Sequence, residues 1–562
     1  MKKLIIIPLL LLSMTLGATK LYVSETGNDG TGDGSSGNPY ALVSYACTQA
    51  SSGDTVYVMA GTINQGTTQI VKPIGVSIYG EGETSIILTS YTNASSVQAA
   101  IQCASTYGST VDDNSSISYI KLSGNNYTSG RAIYIGYRNN INIHHLTIEG
   151  FNYTGIYANG SDGSTYPNLF LTGIVIQNCT LNNNGSYIGA DGYCGSIRLR
   201  GTDGTDVSYN AIKNDGREEC NSHCFSTYRN RRLKIHDNIL WRRDQEVASD
   251  STEYWNFFLE EWNYKGGSEY YNNIHYGLAK FSLGGNENEL TDGTTFGYKV
   301  YNNKWLNDST GYRTYRGETD TKYCICVEGN GHEKVYVYGN YIQNFAWAIE
   351  LSAPTSGGGK YWNESWFFKD IWFYYNIIDG VGNQDFAYNY GFRFLIEKQN
   401  EDYYSKLENI KFNNNTVIAA NNGINGFCGI GVQCSDTVVG LEVKNNIFVG
   451  FANDAIDITA HTGETLLITG LEITNNIFYN NGVDAVDIDA TVTAPSGNVT
   501  SGNLTSNPLI KNSSTGRFSS NSPVINAGDD VDLDYDYYGH KITGTPDIGA
   551  VERGSYFMIT GR

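Results

Sequence analysis

An all-β solenoid is the fold this sequence predicts, on three observations. An asparagine recurs inside one small pattern of alternating apolar residues, at Asn178, Asn210, Asn238, Asn273, Asn303, Asn340, Asn376, Asn415, Asn446 and Asn476. Successive gaps are 32, 28, 35, 30, 37, 36, 39, 31 and 30 residues, and self-similarity at such a period marks stacked structural repeats. Within each repeat the apolar residues alternate, as in IVIQNCTL, YKVYNNKW and LEITNNIF, which is the period of a strand and not of a helix. The third observation is composition: 64 Gly and only 9 Pro in 562 residues suit many tight turns between short strands. The unequal gaps place loops of different length on successive coils, and such loops are common carriers of function.

The chain opens with MKKLIIIPLLLLSMTLGA. Lys2 and Lys3 precede an apolar run over residues 4–12, and Gly17 and Ala18 are small residues at a plausible cleavage point, so 1–18 reads as a secretory signal peptide. A secreted or periplasmic protein is expected. No Cys follows the apolar run as a lipid anchor would need, and no later stretch is apolar enough to span a membrane. Residues 19–90 read as an N-terminal cap and the first coils. Leu42, Val43, Ala46 and Cys47 have helical spacing, and an amphipathic helix there could cover the exposed end of a solenoid. Residues 91–495 carry the repeats, and 496–562 read as a C-terminal closing segment.

The segments YVSETGNDGTGDGSSGNPY, GDTVYVMAGTI and VSIYGEG near the start, and NSPVINAGDDVDLD…TPDIGAVE at 521–552, resemble exported right-handed parallel β-helix proteins of the pectate-lyase-like superfamily. With the asparagine-marked coils, the resemblance covers nearly the whole mature chain. It implies a right-handed parallel β-helix and an activity on polysaccharides. That superfamily includes lyases, hydrolases, epimerases and non-catalytic binders, so the activity class stays open. In such a fold the recurring asparagines form a ladder at one turn, each side chain bonding the next coil and satisfying buried turn amides and carbonyls.

A second strand recurs in every coil and can be aligned on its inward apolar pair: Ile133/Ile135, Ile197/Leu199, Phe225/Thr227, Leu259/Glu261, Phe281/Leu283, Ile325/Val327, Ile349/Leu351, Phe394/Ile396, Ile456/Ile458 and Val486/Ile488. Residues between and after these positions face outward. One outward column then reads Tyr134, Arg198, Ser226, Glu260, Ser282, Cys326, Glu350, Leu395, Asp457 and Asp487; the next reads Gly136, Arg200, Tyr228, Trp262, Gly284, Glu328, Ser352, Glu397, Thr459 and Asp489. Arg393 falls just before the first column. Glu261 breaks the apolar rule, and a bulge at that coil is the expected explanation.

Arg198, Arg200, Trp262, Tyr264, Arg393 and Glu397 are the candidate substrate-binding residues, because aromatic faces stack on sugar rings and charged groups fix hydroxyls or carboxylates. The competing reading is a solvated face laced with ion pairs between coils. The segments 240–256, 284–297, 306–323, 352–370 and 380–392 are long and rich in Trp, Tyr and charge, and could wall a cleft. From Arg217 to Arg243 seven basic residues stand against three acidic ones, a local inversion of sign in a chain whose net charge is −20. That net charge argues against nucleic-acid partners.

Three functions compete. A polysaccharide lyase acting by β-elimination on an acidic glycan would abstract the proton α to a uronate carboxyl, with Tyr228, Arg229, Lys265 or His223 as candidate bases. A glycoside hydrolase would use two carboxylates, from Glu328 and Glu350 or from Glu260 with one of them. A glycan-binding β-helix would keep the aromatic surface without chemistry. Calcium is the one cofactor the sequence suggests, in the groove of a lyase or at DDVDLDYD, where alternation would put Asp530, Asp532, Asp534 and Asp536 on one side of a strand. Ten cysteines in an exported chain permit disulfides, with Cys220–Cys224 and Cys428–Cys434 as candidate local pairs and CNSHC a weak metal signature. Oligomeric state is open.

Overall fold

The computed structural model describes residues 18–92, 98–126, 129–160, 169–185, 194–214, 222–242, 257–262, 266–277, 280–285, 297–307, 323–329, 332–353, 366–382, 389–396, 405–420, 427–461, 463–482, 485–493 and 499–553. The signal-peptide stretch 1–17 and most of the five long segments lie outside the described residues.

The chain is a right-handed parallel β-helix. Each coil gives one strand to a fourteen-stranded sheet that starts at Ile70–Val71 and ends at Val486–Ile488, and two further strands to a thirty-stranded sheet folded along a corner. Lys234–His236 and Ile239–Arg242 show the pattern: the first pairs with Ser268–Tyr271 of the next coil, the second with Ile274–Tyr276. The coils thread Val, Ile, Leu and Phe side chains into one continuous buried core, as the alternation requires.

The corner carries the asparagine ladder. Its rungs begin at Cys179, whose N–H donates to Asn210 Oδ1 at 2.9 Å. Asn210, Asn238, Asn273, Asn303, Asn340, Asn376, Asn415, Asn446 and Asn476 each donate their N–H to the next asparagine of the column at 2.9–3.1 Å. Each Nδ2 also reaches a carbonyl of the preceding coil, as Asn303 Nδ2 does to Tyr270 O at 3.0 Å. Two assignments change. Asn178 is not a rung; it holds the left-handed corner conformation (φ +53°) just before Cys179. Asn503 closes the column instead, accepting from Asn476. Beside the ladder, His236, Tyr271, Tyr301, Tyr338 and Tyr374 stack in near-parallel planes with centroids 4.6–4.8 Å apart, the repeat distance of a parallel sheet.

The predicted N-terminal helix is the seven residues Val43–Gln49, with Val43, Ala46 and Cys47 buried. It lies against Ile70–Val71, the first strand of the fourteen-stranded sheet. The stretch 499–553 runs back along the flank of the coils. Ile447 and Ile477 pack with Phe518, Val524 and Ile548, and Tyr341 and Ile377 with Ala550 and Val551. Corner residues hold it: Asn414 Nδ2 donates to Asp547 O at 3.1 Å, and Asn445 exchanges side-chain bonds of 2.7 and 2.8 Å with the Asp529 backbone.

Eight of the described cysteines are buried thiols outside any disulfide. Cys428 and Cys434 sit six residues apart on one strand, Phe427–Cys434, a separation of about 20 Å, so the pairing expected from their spacing is ruled out. Cys220 lies outside the described residues. Among the described residues, no helix is long and apolar enough to cross a membrane.

Candidate functional site

The outward face of the fourteen-stranded sheet collects most of the predicted residues. Strand pairing runs Tyr134, Tyr157, Arg198, Ser226, Glu260, Ser282, Cys326, Glu350, Arg393, Gly431, Asp457, Asp487 in one column. The next runs Gly136, Asn159, Arg200, Tyr228, Trp262, Gly284, Glu328, Ser352, Leu395, Gln433, Thr459. The predicted register holds except at Asn389–Ile396. There the inward pair is Phe392/Phe394 and not Phe394/Ile396, so Arg393 enters the first column directly across from Glu350. Strands Ile70–Val71, Ile101–Ala104, Thr154–Asn159 and Phe427–Cys434 are four members of the sheet that the alignment omitted. Glu261 stays in the column of Thr227 and Leu283; the irregularity lies earlier, between Phe257 and Leu259.

The N-terminal half of this face is built from arginines over tyrosines. The Arg198 guanidinium covers the Tyr157 ring at 4.9 Å, and Arg131 covers Tyr153 at 4.9 Å. Arg200 and Arg229 both approach the Tyr228 ring, at 5.2 and 4.7 Å. Arg198, Arg200 and Tyr228 are half-buried. Arg229, just past the strand in the left-handed corner conformation (φ +56°), is 5 % exposed. That geometry makes Arg229 a support for Tyr228, not a group a polymer would touch. Tyr134 meets Tyr157 edge to face at 5.4 Å, and burial pushes its phenol up to about 12.

The centre of the face is acidic and internally paired. Glu350 is 2 % exposed, and its Oε2 lies 3.7 Å from Arg393 Nη1. Arg393 in turn covers Trp347 at 4.2 Å. Glu328 accepts a hydrogen bond from Ser282 Oγ, and its carbonyl accepts from buried His332 Nε2 at 2.8 Å. Burial holds His332 down at about 4, so it is neutral. Glu328 and Glu350 stand on adjacent strands but in different columns. Glu260 stands three strands from Glu350 in the same column, about 14 Å between Cα atoms. That is a poor spacing for the carboxylate pair of a glycosidase, whose carboxyls lie about 5–9.5 Å apart. Tyr264, Lys265 and Glu397 lie outside the described residues; for Glu260, Trp262 and His223 only the strand positions are described.

The C-terminal end of the face carries a group that the sequence reading placed in the column without giving it a role. Asp457 is half-buried beside Asp487 on the next strand. Burial first, then the charges of Asp454, Asp487 and Asp489, push its carboxyl up to about 6. The signal for it was the repeated Asp-Ala-Ile-Asp and Asp-Ala-Val-Asp at 454–457 and 484–487.

The acidic segment 529–536 is irregular backbone with a bend at Asp532 and one isolated bridge at Tyr535, not a strand. Asp530, Asp532 and Asp534 are exposed, Asp530 Oδ1 accepting from the Asp532 N–H at 3.0 Å. Asp536 is buried and accepts from the Tyr538, His540 and Glu552 N–H groups. The four carboxylates therefore do not share a side. Among the described residues, no three His, Cys, Asp or Glu side chains gather as a metal ion would need.

No family model matches the chain, and no curated protein matches it. Among solved structures it is similar to an alginate lyase from Paenibacillus sp. str. FPU-7 (11 % identity, TM-score 0.34, 64 % of this chain and 94 % of that one). It is similar to XylC in complex with xylose (11 % identity, TM-score 0.43, 95 % and 98 %). A third is DFA-IIIase from Arthrobacter chlorophenolicus A6 (12 % identity, TM-score 0.42, 72 % and 98 %).

Proposed function

We propose that this chain is an exported enzyme that binds an acidic polysaccharide along the outward face of the fourteen-stranded sheet and cleaves it by β-elimination. The supporting observation is the sign and composition of the N-terminal half of that face. Arg198, Arg200 and Tyr228 lie in adjoining columns of neighbouring coils, in a chain of net charge −20. A row of cations over aromatic rings suits a polymer of uronate sugars, each presenting a carboxylate and a ring face.

In this reading Arg198 and Arg200 neutralise the substrate carboxylate, stabilising the charge that develops as the α proton leaves. Tyr228, acting as its phenolate, takes that proton. The glycosidic C–O bond β to the carboxyl breaks, its departing oxygen receives the proton back from Tyr228, and a carbon–carbon double bond forms at the new non-reducing end. Trp262 supplies a sugar-stacking face, and Arg393 with Glu350 forms the far wall. A bound Ca2+ would share the neutralising role.

Asp457 favours a second reading. A carboxyl held near 6 by burial and three neighbouring acids suits a general acid, with Asp487 on the next strand as its partner. One experiment separates the readings. The purified mature protein is incubated with acidic and neutral polysaccharides, with Ca2+ or with EDTA, following reducing ends and the ultraviolet absorbance of unsaturated ends. Both signals rising together support elimination. New ends without absorbance move the chemistry to Asp457. Silence across the panel, with binding retained, leaves a glycan-binding β-helix.

A further inference from the structure

Consecutive residues of a strand point to opposite faces, yet the imidazoles of His144 and His145 meet, Nδ1 to Nδ1 at 2.9 Å. The cause is the corner. Strand Arg138–His144 ends at His144, and His145 takes φ +54°, the left-handed conformation that other coils give to Asn178, Asn272 and Asn302. That turn swings the second ring back beside the first. Tyr119, at the same corner of the preceding coil, stacks on His145 (centroids 4.6 Å, planes 13° apart) and meets His144 edge-on at 5.5 Å. Both rings are held in place. His145 is exposed and His144 half-buried. Across from His144 on the neighbouring strand is Ser118, fully buried, whose Oγ has no hydrogen-bond partner among the described residues.

Two neutral imidazole nitrogens in contact can share one proton. They also fit one metal ion: nitrogens bound at about 2.0–2.1 Å in neighbouring positions of a square-planar or octahedral ion lie about 2.9 Å apart. We propose that His144 and His145 form a chelating site for a divalent transition-metal ion of the Cu2+ or Ni2+ class, bound through both Nδ1 atoms. Imidazole donors select these ions over Ca2+ and Mg2+. No third such side chain converges among the described residues, so water fills the remaining positions. The site belongs to the thirty-stranded sheet and is independent of the saccharide reading.

The test is a titration of Cu2+ into the untagged mature protein, followed by calorimetry and by electron paramagnetic resonance. One ion per chain, with a spectrum showing two equatorial nitrogens, is the expected result. The double substitution His144→Gln, His145→Asn reproduces the pair Gln177–Asn178 that the next coil already carries at these positions, so the corner keeps its conformation. It should weaken the site at least tenfold and remove the nitrogen signature, with an unchanged melting temperature. His236→Asn, elsewhere on the same sheet, should leave copper binding intact. Equal copper binding by wild type and the double variant, or no stoichiometric binding by wild type, would overturn the assignment.

Discussion

Arg393 stands directly across from Glu350 on the next strand of the outward face, Nη1 to Oε2 at 3.7 Å, while its guanidinium covers Trp347. Glu350 is almost fully buried, so the paired cation offsets part of its desolvation cost. Arg393→Ala should destabilise the protein, by at most about 3–5 kcal/mol, because it removes the cation paired with a buried carboxylate. Glu350→Gln with Arg393 retained should cost less. Thermal denaturation of the three proteins ranks the effects, and a melting temperature unmoved by Arg393→Ala would remove the pair from the account.

Tyr228 and the arginines around it carry the functional proposal. Tyr228→Phe should lower turnover of an acidic polysaccharide by at least about 100-fold and leave its binding nearly unchanged. Arg198→Ala and Arg200→Ala should weaken binding and flatten its dependence on salt. Full turnover by Tyr228→Phe would assign the proton to another group.

Asp457 makes a pH-dependent prediction. Its folded-state carboxyl is raised from 3.8 to about 6, so the folded protein binds that proton more tightly than the unfolded chain does. Stability from this group is full below about 4 and is lost as pH rises through 6. Asp457→Asn should therefore melt above wild type at pH 8, with the gap closing towards pH 4. A gap independent of pH would show that the aspartate is not titrating in this window.

The ladder predicts a position-dependent cost. Asn303 Oδ1 accepts from both the N–H and the Nδ2 of Asn273, and its own Nδ2 donates to Tyr270 O and Asn340 Oδ1. Asn303→Ala deprives the buried Asn273 N–H and Tyr270 carbonyl of the preceding coil of this partner, at about 1–3 kcal/mol each. Asn503→Ala, at the half-buried end of the column, should cost clearly less. Chemical denaturation with hydrogen exchange across the coil at 303 checks both magnitude and location.

The architecture was legible because the inward residues of most coils alternate cleanly and one corner repeats. Misreadings fell where alternation cannot decide. Strand Asn389–Ile396 presents Phe392, Phe394 and Ile396 in one alternating run, so two registers satisfy the pattern equally, and the pairing to Ile349 and Leu351 is what selects between them. Phe427–Cys434 was missed because Gly429 and Gly431 interrupt its apolar signal; a Cβ at Gly431 would meet the Tyr390 ring at 2.3 Å. Asn178 mimicked a rung because the corner residue before each rung is also often Asn. Arg229 and Asp457 show what pattern cannot supply. Their columns or charge were readable, but burial depends on neighbours contributed by other coils.

The ladder also bears on how the chain assembles. The backbone N–H of each rung finds its acceptor on the coil that follows, not on the one already made. A growing stack therefore always has a single open rung at its leading end, whatever its length. Each arriving coil closes that rung and opens its own. Successive rungs are joined by as few as 27 and as many as 39 residues, yet the closing step is chemically the same each time. Synthesis from the N-terminus and folding can thus advance in step, one coil per increment, with the length of each excursion left free to vary.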